Sequence, residues 1–127
     1  MTIQGLNHYN MIVPRATLAA FTRFYEDVLG FETREDPPLI WLYAAKQPLV
    51  HITLTEAPVP RDADAARHTS GVVDHVAFTC HDVAATIERI ESKRVAYLRR
   101  DFPDRGFTQL VVRDPLGLEI ELNFSEG

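Results

Sequence analysis

Three histidines and one glutamate in this 127-residue sequence are candidates to share a divalent metal ion: His8 in LNHYNMIV, His51 in LVHITL, His75 in VDHVAF and Glu121 in EIELNF. Imidazole nitrogens with one carboxylate suit a borderline ion such as Zn, Ni, Co, Fe or Mn. The set is too rich in nitrogen for calcium or structural magnesium. No local motif announces it, because the chain has no HExxH sequence and its single cysteine excludes a paired-cysteine site. Any one of the four, taken alone, is an ordinary polar strand residue. Repetition sets them apart. His75 follows Asp74 as His8 follows Asn7, at an offset of 67 (75 − 8), and Glu121 stands in the place of His51, at an offset of 70 (121 − 51).

The elements that must position these residues repeat in the same way. A strand over LNHYNMIV leads past Pro14 into a helix over ATLAAFTRFYEDVLG. There Leu18, Phe21, Tyr25, Val28 and Leu29 share one face and Gly30 supplies the stop. Strands follow at FETRE, LIWLYAA and LVHITLTE. The second half opens with a strand over VDHVAFTC, with Asp82 as helix N-cap and Val83, Ile87 and Ile90 as the buried stripe of VAATIERIESK. Strands at VAYLRR, FTQLVVRD and LEIELNF complete it. Both halves read as βαβββ, giving modules 1–56 and 72–127 of a single domain spanning 1–127. The Pro-, Ala- and Asp-rich stretch 57–71 is the linker. The fold class expected is α+β.

Strand side chains alternate between two faces. One set is apolar: Tyr9, Met11 and Val13; Val50, Ile52 and Leu54; Val76 and Phe78; Ile120, Leu122 and Phe124. The other holds His8 and Asn10; His51, Thr53 and Thr55; His75, Ala77 and Thr79; Glu119, Glu121 and Asn123. A plain solvent face carries Lys, Arg and Glu. Histidines, small hydroxyls and amides suit a wet, enclosed cavity better. Asn10, Thr53, Gln109 and Arg113 are the substrate-contact candidates on this face. Cys80 falls on the apolar face as an inert thiol. His68 in the linker and His81 before the second helix read as loop residues, and Glu119 has no metal-competent match in the repeat.

Composition narrows the partners. With 46% hydrophobic residues the chain can bury one core, and with a formal net charge of -5 and no basic run it lacks the footprint of a nucleic-acid or anionic-membrane binder. A lone cysteine, no apolar stretch approaching about 20 residues, and a start without a secretory pattern lead to the expectation of a cytoplasmic protein, and the cavity face to that of a small-molecule substrate.

LNHYNMIV with FYEDVLGF, the second start VDHVAF, and the ending VRDPLGLEIELNF together resemble the vicinal oxygen chelate superfamily, which includes glyoxalase I, methylmalonyl-CoA epimerase, extradiol dioxygenases and the fosfomycin and bleomycin resistance proteins. The resemblance implies paired βαβββ modules forming a cupped mixed sheet with helices on its outer face. It also implies a homodimer and metal ligands from the first and last strands of each module, here His8, His51, His75 and Glu121. Two positions depart from the pattern. His51 stands where glyoxalase I usually has glutamate and the epimerase glutamine, and Leu116 replaces the acidic or amide residue common in the DPxG turn.

Four protein ligands on an octahedral ion leave two positions for a substrate that chelates through vicinal oxygens. That suits a lyase or isomerase in which Glu121 is the catalytic proton carrier. An extradiol dioxygenase would instead use iron(II) with His8, His75 and Glu121 as its facial triad and His51 as the acid–base residue. A metal-free drug-binding resistance protein is the third possibility within the resemblance.

Overall fold

The computed structural model of the chain describes residues 1–56 and 73–125. The linker expected at 57–71, with His68 in it, lies outside the described residues. By internal contacts the chain divides into two compact units, Met1–Val59 and Pro60–Gly127. Each has the expected element order, and among the described residues the strands form two four-stranded mixed sheets, one in each unit.

In the first unit, β1 (Tyr9–Pro14) leads through a short 3-10 turn into α1 (Leu18–Asp27), then β2 (Glu32–Asp36), β3 (Leu39–Ala44) and β4 (Gln47–Thr55). The regular helix starts at Leu18, two residues into the segment expected to be helical, because the chain leaves Pro14 through the turn at Arg15–Thr17. It ends where Gly30, at φ 78°, takes the left-handed conformation that glycine adopts without strain. The Gly30 amide donates to the Glu26 carbonyl at 3.1 Å and the Phe31 amide to that of Tyr25 at 2.8 Å. Phe21 and Tyr25 are fully buried, with ring centroids 4.7 Å apart, and Phe31 closes on Tyr25 at 5.5 Å. Burying each such ring stabilises the unit by about 1.5–3 kcal/mol. The helix lies against β1 and β2.

The second unit runs β5 (His75–Cys80), α2 (Val83–Ser92), β6 (Leu98–Phe102), β7 (Phe107–Arg113) and β8 (Glu119–Phe124). Asp82 caps α2 as expected, its side chain accepting from the Ala85 amide at 3.0 Å. Ile90 is fully buried on the apolar stripe. The sheet order is β1-β4-β3-β2 in one unit and β5-β8-β7-β6 in the other, so the first and last strands of each module pair in parallel at one side of the sheet.

The two faces separate as the alternation predicts. In β8, Ile120, Leu122 and Phe124 are buried while Glu119, Glu121 and Asn123 are partly exposed. In β5, His75, Ala77 and Thr79 are the exposed set. Cys80 is half-buried, and that burial pushes its thiol pKa up, as an inert thiol requires. His81 is exposed in the turn before α2.

The turn at Asp114–Gly117 sets where β8 begins. Asp114 to Gly117 form a β-turn, in which the Gly117 amide donates to the Asp114 carbonyl at 2.9 Å. The Asp114 carboxylate is 5% exposed, and its Oδ1 accepts from the amides of Leu116 at 2.8 Å and Leu118 at 3.0 Å. Asp114→Ala strands two amides and is expected to cost about 2–4 kcal/mol in denaturant melts. Asp114→Asn, which keeps an acceptor oxygen, recovers part of that loss; equal stability of wild type and the alanine variant would refute the role.

Candidate metal centre

The internal repeat extends to hydrogen-bonding register. β1 and β4 pair with Asn10 opposite His51, and β5 and β8 pair with Ala77 opposite Glu121. Adding the offsets read from the sequence to the first pair gives the second. In each unit, therefore, a histidine at the start of the first strand stands two residues before the partner of the donor on the last strand. His75 is the first residue of β5, and His8 lies one residue before β1.

Each of these histidines is oriented by the residue before it. His8 Nδ1 donates to the side-chain oxygen of Asn7 at 2.7 Å, and His75 Nδ1 donates to the Asp74 carboxylate at 2.9 Å. Both acceptors lack a proton of their own, so Nδ1 carries the hydrogen and the neutral ring keeps its lone pair on Nε2. That arrangement fits a metal-ligating histidine, whose other nitrogen is held by a carboxylate or carbonyl oxygen.

In the first unit the His8 and His51 rings stand 6.4 Å apart, and Trp41 lies beside both. Trp41, the cross-strand partner of His51, stacks on it at 4.4 Å with 20° between the planes, and meets His8 edge-on at 5.0 Å. Thr53 Oγ1 donates to Asn10 Oδ1 at 3.0 Å, so these two substrate-contact candidates hold each other. Ile12 lies on the same face and is 63% exposed, an apolar element in a set otherwise polar.

In the second unit His75 Nε2 lies 3.3 Å from Glu121 Oε2, and its Nδ1 lies 3.9 Å from Glu119. Gln109 is buried, and its amide nitrogen donates to Glu121 Oε1 at 2.7 Å and to Asn123 Oδ1 at 3.1 Å. The sequence placed Gln109 among the substrate contacts; its amide is engaged in fixing the Glu121 carboxylate. Arg113, also a candidate contact, donates to the Gly117 carbonyl at 3.0 Å and to Glu119 at 3.3 Å. Glu119 thus has a defined place, tied to Arg113 and beside His75. A donor atom each from Asp74, His75 and Glu119 lies within 4.8 Å of the others, so this corner of the sheet can attract a cation.

Sequence alone gives no function to Asn7, Asp74 or Trp41. For the first two the signal was there, in the recurrence of an amide or acid before each histidine. For Trp41 none existed, because its neighbours depend on the pairing of β3 with β4.

The family profile of the Glyoxalase/Bleomycin resistance protein/Dioxygenase superfamily matches residues 5–122, and the chain belongs to that superfamily. An integron cassette protein from Vibrio cholerae is 21% identical with TM-score 0.67, covering 98% of this chain and 97% of its own. A point mutant of the fosfomycin resistance protein FosX from Listeria monocytogenes, complexed with Mn(II) and dihydroxypropylphosphonic acid, is 20% identical with TM-score 0.67, covering 95% and 90%. Lactoylglutathione lyase from Agrobacterium tumefaciens is 19% identical with TM-score 0.61, covering 98% and 97%. At these identities the likeness is one of fold. No curated protein matches the chain.

The Asp74 hydrogen bond, with the carboxylates of Glu121 and Glu119 nearby, raises the His75 pKa above the ordinary histidine value of 6.5 against a smaller opposing effect of burial. The protonated ring therefore stabilises the fold below about pH 6.5, and that contribution disappears as pH rises through the raised value. In an NMR titration of metal-free protein, His75 is expected to titrate above 6.5. Asp74→Asn should lower its midpoint, and an unchanged midpoint would remove Asp74 as the cause.

Proposed function

We propose that the chain is a divalent-metal-dependent enzyme, a lyase or isomerase of the glyoxalase type acting on a small substrate that chelates the metal through vicinal oxygens. The equivalence of the two donor pairs carries this reading: His51 opposite Asn10 and Glu121 opposite Ala77 hold matching ladder positions, with His8 and His75 two residues before those partners. These four are the proposed ligands for one ion per site drawn from Zn, Ni, Co, Fe and Mn. The Mn(II) in the FosX complex supports a first-row divalent ion.

When bound, such an ion would polarise the chelated oxygens and stabilise negative charge as a proton leaves the substrate. The chain's own residues supply the proton transfer. Glu121 is the proposed carrier: Gln109 fixes Oε1, while Oε2 faces His75. Gln109 is then a positioning residue, and Asn10, Thr53 and Arg113 are the proposed contacts for the rest of the substrate. The chain acts as one domain of two modules in a cytoplasmic homodimer. No helix among the described residues is long and apolar enough to cross a membrane.

The stack of Trp41 on His51 favours a second reading, since a ring held by an aromatic plane is oriented without a metal bond. His8, His75 and Glu121 would then be the triad of an iron(II) extradiol dioxygenase, with His51 as its acid–base residue.

Elemental analysis of untagged protein from metal-supplemented growth separates these readings. One equivalent of metal is expected in wild type, with affinity reduced at least tenfold in Glu121→Gln. Trp41 is the sole tryptophan and touches both first-unit donors, so its fluorescence should change on titration with Ni or Zn. Loss of affinity in His51→Ala supports the four-ligand enzyme. Retained iron with lost oxygen-dependent ring cleavage supports the dioxygenase, and metal-free wild type would overturn both in favour of a ligand-binding resistance protein.

A further inference from the structure

The ladder registers of the second unit map the candidate-site face as rows of side chains running across the sheet. Leu98 pairs with Val111, Val111 with Glu121, and Glu121 with Ala77, so one row runs from the edge strand β6 to the candidate metal carboxylate. The row beside it begins at Arg113, which pairs with Glu119, which pairs with His75. The third runs Arg100, Gln109, Asn123 and Thr79. The middle row is apolar except at Glu121, and both of its neighbours carry an arginine. Leu98 is 58% exposed, an apolar side chain open to water close to a polar cluster. A cleft of about 310 Å³ opens there, lined by Val95, Tyr97, Leu98, Val111, Arg113 and Glu119.

We propose that this cleft holds an alkyl tail of the substrate, so that the ligand class is a vicinal-oxygen chelating head on a linear aliphatic chain. The inference rests on the metal-site reading above and specifies what that site takes. A head chelated beside Glu121 has Val111 as its immediate cross-strand neighbour and Leu98 one strand further out, so a tail leaving the head along this row moves from carboxylate to hydrocarbon. Along either neighbouring row it would meet a guanidinium. Leu98, 58% exposed, loses water when the tail covers it, which is the driving force, and the nearly buried Val111 forms the floor; Arg113, held by Glu119 and the Gly117 carbonyl, forms the polar wall.

The test uses metal-loaded full-length protein and n-alkyl hydroxamic acids, from acetohydroxamic to octanohydroxamic acid, which chelate through two neighbouring oxygens. Affinity is measured by calorimetry. Affinity should rise about two- to fourfold per methylene until the cleft is filled, the upper value corresponding to full burial of each group. Leu98→Ser, at an exposed position, should flatten that dependence while leaving acetohydroxamic acid affinity unchanged, and Val111→Thr, which conserves shape, should weaken it in the same direction. Binding of the short acid with no chain-length dependence in wild type overturns the inference and leaves the metal reading intact. A dependence that persists in both variants places the tail elsewhere and also overturns it. Failure of every hydroxamate to bind the metal-loaded protein overturns the inference, and a chain that takes up no metal overturns both.

Discussion

Parallel, in-register pairing of the first and last strands of each module is the constraint on which the rest depends. Parallel neighbours cannot be joined by a tight turn, and here α1 with β2 and β3, or α2 with β6 and β7, supply the crossover. Because the side-chain period is two, a slip of one residue would send His51 or Glu121 to the buried face and Val50 or Ile120 to the other. The core therefore enforces the site: fully buried Val50 and Ile120 lock the register that points their chemical neighbours outward. Asp114 does the same work at the entry to β8, where one buried oxygen gathers two amides and fixes where the strand starts.

How far the sequence revealed this depends on the range of the interaction. Alternation and repetition are local properties, and they give the strands, both helices, the Gly30 stop, the Asp82 cap and the face carried by each candidate residue. The register between neighbouring strands is not local. Gln109 was visible as a residue on the correct face. That its amide would reach Glu121 and Asn123 follows only once β7 is laid antiparallel on β8. Trp41 is the sharper case, since in LIWLYAA it looks like one more apolar strand residue. Its partner His51 turns it into the flat surface beside the site.

The repeat presents two candidate donor pairs of different electrical character on one plan. Asn7, Leu49 and His51 in the first unit correspond to Asp74, Glu119 and Glu121 in the second, at the same offsets. One half offers two imidazole rings against an aromatic plane. The other surrounds one imidazole with three carboxylates, one of which, Glu119, is held by the cationic Arg113. Aromatic contact positions a ring without adding charge, whereas carboxylates create a potential that acts on anything positive.

That potential explains why the His75 proton and a bound cation are alternatives. Asp74, Glu121 and Glu119 favour positive charge at the imidazole and so raise its affinity for a proton. The same three carboxylates would favour a divalent ion at Nε2, where the lone pair must be free of hydrogen for a bond to form. Under the proposed reading, protonation and metal binding compete for one nitrogen in one field. Strengthening the field, by adding acid or removing Arg113, would raise both affinities together. Selectivity for metal over proton cannot come from that charge alone; it must come from the geometry that holds the second donor, and in this unit Gln109 supplies it by fixing the Glu121 carboxylate 3.3 Å from the ring.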